Sequence, residues 1–299
     1  MNAADYRAAR GSLAGTSFHE LWALSQAMKL LDTRTGVTAV SVEGVGPESK
    51  SAEQSTDYDG VDCTVLYGSV EVGEADQIEI IQLKYSGSEP HAKWNLSRLT
   101  KSDKKTGNNS VLRRLADAYR KIRSSAKVLP AIRLISNQSV SEEVVSRLSV
   151  IARTKSQASE FRAKFLKATG LKLRDLKSFA HQLDLTSRTG SRFEIEDKLL
   201  LEIASWTDDD ARAIRENLLN YIRKQMLPEN VGRFLTRENI LGIISGTPSE
   251  ESIFPCPPDL AAAKKVIVRE AAKELANRLV SGTSRICLHG GAGSGKNCL

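Results

Sequence analysis

Asp62, Gln82 and Lys84 have the types and the spacing for metal-assisted hydrolysis of a phosphodiester. Asp62 opens the apolar run DCTVLY directly after the turn DYDG, and Gln82 and Lys84 lie two apart in IIQLKYS. Side chains alternate across a strand, so Gln82 and Lys84 share one face while Ile81 and Leu83 take the other. That chemistry needs a carboxylate to hold Mg²⁺, a second oxygen ligand, and a cation that positions the attacking water and neutralises developing charge. Asp59 competes with Asp62, but it sits in the turn, where aspartate is common for backbone reasons. Asp62 is in register to enter the sheet and is the expected ligand. Glutamine brings no charge, so a further carboxylate gains importance. Glu43, at the end of the preceding strand, and Glu20, in the first helix, are both candidates for it.

A basic block follows the Q-x-K strand. Lys93, Lys101, Lys104 and Lys105, then Arg113 and Arg114, are expected to track a nucleic-acid backbone by charge, with Arg120, Lys121 and Arg123 continuing the helix face. Trp94 and His91 are candidates for sugar or base contacts. The competing reading of this block is a solvated helix face beside a loop. His19, in SFHELW, and His181 are read as structural residues.

A second motif lies at Gly290–Lys296, where the apolar strand RICLH runs into GGAGSGK. Strand, glycine loop and lysine form the G-x-x-x-x-G-K phosphate cradle, in which successive backbone N–H groups make an anion nest. Gly290, Gly293, Gly295 and Lys296 are the expected nucleotide contacts. Residue 297 is Asn where Ser or Thr would bind Mg²⁺, and only Asn297, Cys298 and Leu299 follow the lysine. The expectation is a vestigial site in a truncated NTPase, with ATP bound only by a full-length form and no ATPase activity here.

The elements around these motifs follow from periodicity. Residues 12–32 place Phe18, Leu21, Trp22, Leu24, Met28 and Leu31 on one helical stripe. TAVSVEGVG, GVDCTVLYGSVEV and QIEIIQLKYS predict an antiparallel or meandering set of three strands, SVLRRLADAYRKIRSSAK a helix, and PAIRLISNQ a short buried strand. That order predicts an α/β domain over residues 1–140. Residues 141–247 show helical periodicity and almost no strand signal, which predicts a separate α-helical domain. The Pro- and Ser-rich stretch SGTPSEESIFPCPPDL then opens a third segment, residues 248–299, comprising a linker and the start of the NTPase.

Composition adds bounds. The 299-residue chain carries a formal charge of +7, which permits a nucleic-acid partner without requiring one. Its four cysteines form no C-x-x-C pair, so neither a disulfide scaffold nor a zinc knuckle is indicated. No signal peptide or membrane-length apolar run is read, and a cytoplasmic protein without a membrane partner is expected.

Asp, a spacer with a turn, then Q-x-K on the paired strand resembles the PD-(D/E)xK, or restriction-endonuclease-like, superfamily in its Mrr-like Q-x-K variant. The wider set GTSFHELWAL, VEG, GVDCTV, QLK, LISN, LTRENIL and RICLHGGAGSGK is similar to bacterial antiviral effectors that join a double-stranded DNA endonuclease to a STAND or NACHT-type ATPase. The resemblance implies a restriction-endonuclease-like α/β/α core and Mg²⁺- or Mn²⁺-dependent cleavage of double-stranded DNA in phage defence. It implies Asp62 as the metal carboxylate, Gln82 as the second ligand through its amide oxygen, and Lys84 as the residue assisting the nucleophile. It also implies a homo-oligomer, switched on through the ATPase. The alternative is a DNA-binding or adaptor protein that retains the nuclease fold without catalysis.

Overall fold

The computed structural model describes residues 3–44, 61–102, 110–153, 159–227, 230 and 233–245. The first helix, α1 (Ala3–Met28), leads through a turn into β1 (Val37–Val42), β2 (Cys63–Tyr67) and β3 (Gln77–Lys84). Helices α2 (Leu96–Thr100) and α3 (Val111–Ser125) precede β4 (Ala131–Ser136). Then come α4 (Glu142–Arg153), α5 (Glu160–Thr169), α6 (Leu173–Gln182), β5 (Leu183–Asp184), α7 (Arg192–Ala204), α8 (Ala211–Gln225), β6 (Phe234–Leu235) and α9 (Arg237–Ile244).

The strands form one six-stranded sheet in the order β5-β4-β3-β2-β1-β6. β1, β2 and β3 make an antiparallel meander, while β4 pairs parallel to β3 and β5 parallel to β4. β3 lies near the middle and is buried along nearly its whole length, with Ile78 and Ile80 covered on one face, Ile81 and Leu83 on the other, and the polar Glu79 and Gln82 buried among them. Alternation then divides the core. Leu66, Ile78, Ile80, Ile132 and Leu134 join α3 to α6 on one face, whereas Val40, Cys63, Val65, Ile81 and Leu83 join α1 and α7 to α9 on the other. Phe18 of α1 is fully buried in the second layer, and burial of such a side chain contributes about 1.5–3 kcal/mol.

The segment expected as a separate helical domain is woven into this sandwich. β5 and β6, both from beyond residue 140, close the two edges of the sheet, and both apolar layers draw helices from either side of that residue. The reason is physical: α4, α5 and α6 each carry a single apolar stripe, such as Val144, Leu148 and Ile151 on α4, and that stripe is buried in the layer built on Ile80 and Ile132. The linker and NTPase start expected over 248–299 lie outside the described residues. No helix among the described residues is long and apolar enough to cross a membrane.

Candidate active site

The site gathers where β1 ends, β2 begins and β3 ends. Beyond Val42 the backbone turns sharply, with Glu43 in the left-handed region at φ 55° and Gly44 at φ 126°. A left-handed conformation costs a residue with a Cβ roughly 1–2 kcal/mol, so it must be imposed by its surroundings. Three hydrogen bonds impose it here. Glu43 N–H donates to the Asp62 carbonyl at 3.1 Å, Gly44 N–H to the Val61 carbonyl at 3.0 Å, and the Thr64 hydroxyl to the Gly44 carbonyl at 2.8 Å. The result sets the Glu43 carboxylate beside Asp62.

Asp62 is itself fixed by β3. Its N–H donates to the Ile81 carbonyl at 3.0 Å, the same residue that Cys63 faces, so Asp62 enters the sheet one step off the regular pairing. Its Oδ2 accepts the Leu83 N–H at 2.5 Å. From the helical layer, His19 Nε2 lies 3.2 Å from the Leu83 carbonyl and 4.0 Å from Asp62 Oδ2. A carbonyl can only accept, so Nε2 carries the proton and donates, which leaves the lone pair on Nδ1. The aromatic neighbours tighten this junction: Phe18 stacks on Tyr85 with ring centroids 5.0 Å apart. Thus α1 grips the end of β3 on both sides of Lys84.

Electrostatics mark the same spot. Burial, reinforced by the Asp62 carboxylate and partly offset by Lys84, pushes the Glu43 carboxyl up to about 7. Burial holds His19 below its ordinary value, with Asp62 opposing and Lys84 assisting. Two carboxylates acting on each other beside a lysine are the electrostatic setting that a divalent cation relieves.

The residues fit such an ion. His19, Glu43 and Asp62 each offer a ligand atom, and these atoms lie within 4.8 Å of one another. Gln82 is fully buried, yet neither its amide oxygen nor its amide nitrogen has a hydrogen-bond partner among the described residues. A buried amide left so costs about 1–3 kcal/mol, and a bound cation or its water would supply the missing partner for the oxygen. The His19 nitrogen beside Asp62 is Nε2, whose N–H is committed to the Leu83 carbonyl, so His19 could serve as a ligand through it only by giving up that bond.

Glu20 stands elsewhere. Its Oε2 pairs with Arg223 Nη2 of α8 at 3.0 Å, and Glu20 is not among the converging groups. His19, read from sequence as a packing residue, is the α1 side chain that reaches the site. No local signal distinguishes it, because its partner on β3 is 64 residues away.

The basic block is less available than its sequence suggests. Arg113 pairs with Asp117 at 3.0 Å, Arg120 shares that carboxylate, and Arg123 pairs with Asp175 at 2.9 Å. Arg113 also packs against Gly170, a left-handed cap at φ 60° whose missing Cβ leaves room for the guanidinium. Arg114 is half-buried, while Lys93 and Lys101 are exposed. Trp94, considered for base contact, is buried beneath the Arg98 guanidinium at 4.1 Å and donates to the Ser136 hydroxyl at 3.2 Å, whereas His91 is exposed. Trp94 thereby fastens the loop after β3 to the end of β4. Lys104, Lys105, Asp59 and the loop residues Gly290, Gly293, Gly295 and Lys296 lie outside the described residues.

The family model described as Cap4, dsDNA endonuclease domain, matches residues 61–223, more than half of the chain. The match opens one residue before Asp62 and takes in Gln82 and Lys84, with His19 and Glu43 N-terminal to it. No curated protein shows a significant match.

Proposed function

The chain belongs to the Cap4 dsDNA endonuclease domain family, and from that premise we propose that it hydrolyses double-stranded DNA at the Asp62–Gln82–Lys84 site with Mg²⁺ or Mn²⁺. The observations that support the metal dependence are the two converging carboxylates, Glu43 and Asp62, and the unpartnered, fully buried Gln82 amide next to the Leu83 that bonds Asp62. Asp62, Glu43 and the Gln82 amide oxygen are the residues that would hold the ion. Such an ion supplies charge neutralisation at the scissile phosphate and lowers the pKa of a bound water.

The protein's own residues do the remaining work. Lys84 presents a positive charge to the attacked phosphate, where it stabilises the charge that develops on the oxygens and orients the incoming water. Asp62 and His19 hold the Leu83 peptide between them, which fixes the directions of Gln82 and Lys84 on either side. The strained turn at Glu43 fixes its carboxylate before substrate arrives, so little reorganisation is needed at the moment of reaction.

The wider reading is that this nuclease is a self-associating, cytoplasmic effector of anti-phage defence. Gly290–Lys296 would be the phosphate loop of the NTPase that regulates it, with ATP as its ligand. The membership in an antiviral nuclease family and the G-x-x-x-x-G-K pattern support that reading.

Plasmid cleavage by the purified chain tests the proposal. Nicking or linearisation with Mg²⁺ or Mn²⁺, lost in EDTA and in Lys84→Ala, is the expected result. A folded wild type that binds duplex DNA but leaves it intact, including after forced dimerisation, would reduce it to a DNA-binding protein with a nuclease fold.

A further inference from the structure

Lys84, Ser136 and Arg188 stand in one row across the sheet. β3 and β4 run parallel with Lys84 opposite Ser136, and Ser136 forms a parallel bridge to Arg188 in the segment between β5 and α7. The Thr189 N–H donates to the Ser136 carbonyl at 3.0 Å and seals that bridge. With strands about 4.8 Å apart, the backbones of Lys84 and Arg188 are separated by roughly 10 Å, the scale of a few phosphates along one strand.

The ground between them is rigid. The Asn137 side chain accepts the Ser86 N–H at 3.0 Å and donates to the Ser86 carbonyl at 2.8 Å, which locks the chain just beyond Lys84 to the end of β4. A cleft of about 360 Å³ opens beside Arg188, lined also by Pro90, Asn137, Thr189 and Glu194, and it begins at the Asn137 end of this row without including Lys84. The exposed Arg188 anchors its Nε on the Asn137 carbonyl at 3.3 Å, while its terminal nitrogens carry no partner among the described residues. Arg113, Arg120 and Arg123 on α3, by contrast, are all spent on carboxylates. A guanidinium held by one nitrogen with its outer edge free presents the paired donors that match two phosphate oxygens.

We propose that Arg188 binds a backbone phosphate of the DNA strand that passes Lys84, so that this cleft is the path of the strand leaving the cleavage site. The inference rests on the reading of DNA as substrate and adds its direction across the sheet. Glu194, a carboxylate lining the cleft, opposes a phosphate there by charge.

The test is the salt dependence of binding to a fluorescein-labelled 25-base-pair duplex in EDTA, where cleavage does not interfere. Each phosphate contact contributes about 0.9 to the slope of log K against log salt, so Arg188→Gln is expected to lower the slope by about that amount between 50 and 200 mM NaCl. Arg34→Gln removes the same charge before β1, at the opposite end of that strand from Glu43, and is expected to leave the slope unchanged. Glu194→Gln is expected to tighten binding. An unaltered slope in Arg188→Gln, or equal losses in both arginine variants, overturns the assignment while leaving the nuclease reading standing. Absence of any duplex binding by the wild type overturns both.

Discussion

The Asp62 carboxylate accepts the Leu83 N–H at 2.5 Å, and the carbonyl of that same leucine faces His19 Nε2 at 3.2 Å. Leu83 is the middle residue of Gln82-Leu83-Lys84, so two side chains from separate elements hold the peptide that aims the other two. Replacement of His19 therefore separates donation from mere bulk. Glutamine carries an N–H at the reach of Nε2, so His19→Gln is expected to keep kcat within a few-fold. His19→Leu is expected to lose about 10–100-fold, as supporting hydrogen bonds in metal sites typically do. Single-turnover cleavage of a plasmid measures both. Equal loss in the two variants would mean that the imidazole does more than donate this hydrogen bond.

Gln82 offers a prediction of opposite sign for stability and activity. Its buried amide lacks partners on both atoms, so Gln82→Leu removes an unsatisfied polar group and fills similar space. The metal-free variant is expected to be about 1–3 kcal/mol more stable, a rise of several degrees in Tm, while cleavage disappears. Thermal unfolding in EDTA and again with Mn²⁺ checks this: the wild type should gain stability from the ion and the variant should gain little. A lower Tm in Gln82→Leu would show that the amide is already satisfied.

How much of this could be read from the chain depends on how local the signal is. β1 to β3 and the shared face of Gln82 and Lys84 were legible because alternation over five to eight residues is written in sequence. β5 and β6 were not, since two-residue strands leave no period. The helices beyond residue 140 were legible as helices, yet an apolar stripe does not name its partner, and theirs proved to be one another and the helices α1 and α3 that cover the sheet. On α1, sequence favoured Glu20 for its charge. Neighbours on a helix point about 100° apart, however, and it is His19 that faces β3 while Glu20 turns to Arg223. Arg188 gave no signal at all, because its importance comes only from the row it shares with Lys84 across β4.

Cys63 lies directly beneath the site, fully buried between Asp62 and Thr64. Burial, with the Asp62 and Glu43 carboxylates adding to it, pushes its thiol far above the ordinary cysteine range. A thiol without its thiolate is a poor nucleophile, so iodoacetamide at pH 8 is expected to leave Cys63 unmodified in the folded protein. Peptide mass spectrometry after a timed pulse would follow it separately from the other cysteines. Modification of Cys63 should appear only at denaturant concentrations that unfold the sheet, and earlier labelling would show that the β2–β3 junction opens by itself.

The two glutamates that sequence could not separate are predicted to behave differently. Glu20 is nearly buried and bonded to Arg223, which also holds Glu216 at 2.9 Å, so this cluster ties α1 to α8. Arg223→Ala leaves the Glu20 carboxylate without its cation and should cost about 1–3 kcal/mol, while Glu20→Gln in the same background should restore part of the loss by removing the orphaned charge. Glu20→Gln alone is expected to keep cleavage near the wild-type rate. Glu43 faces Asp62 in a strained turn, and Glu43→Gln preserves the shape but removes the charge that a cation needs. Its cleavage should fall by at least about 100-fold, beyond the usual effect of a supporting residue. Chemical denaturation and plasmid nicking, run on the same preparations, distinguish the roles. Loss of cleavage in Glu20→Gln with stability intact would place the metal on the α8 side of α1 instead.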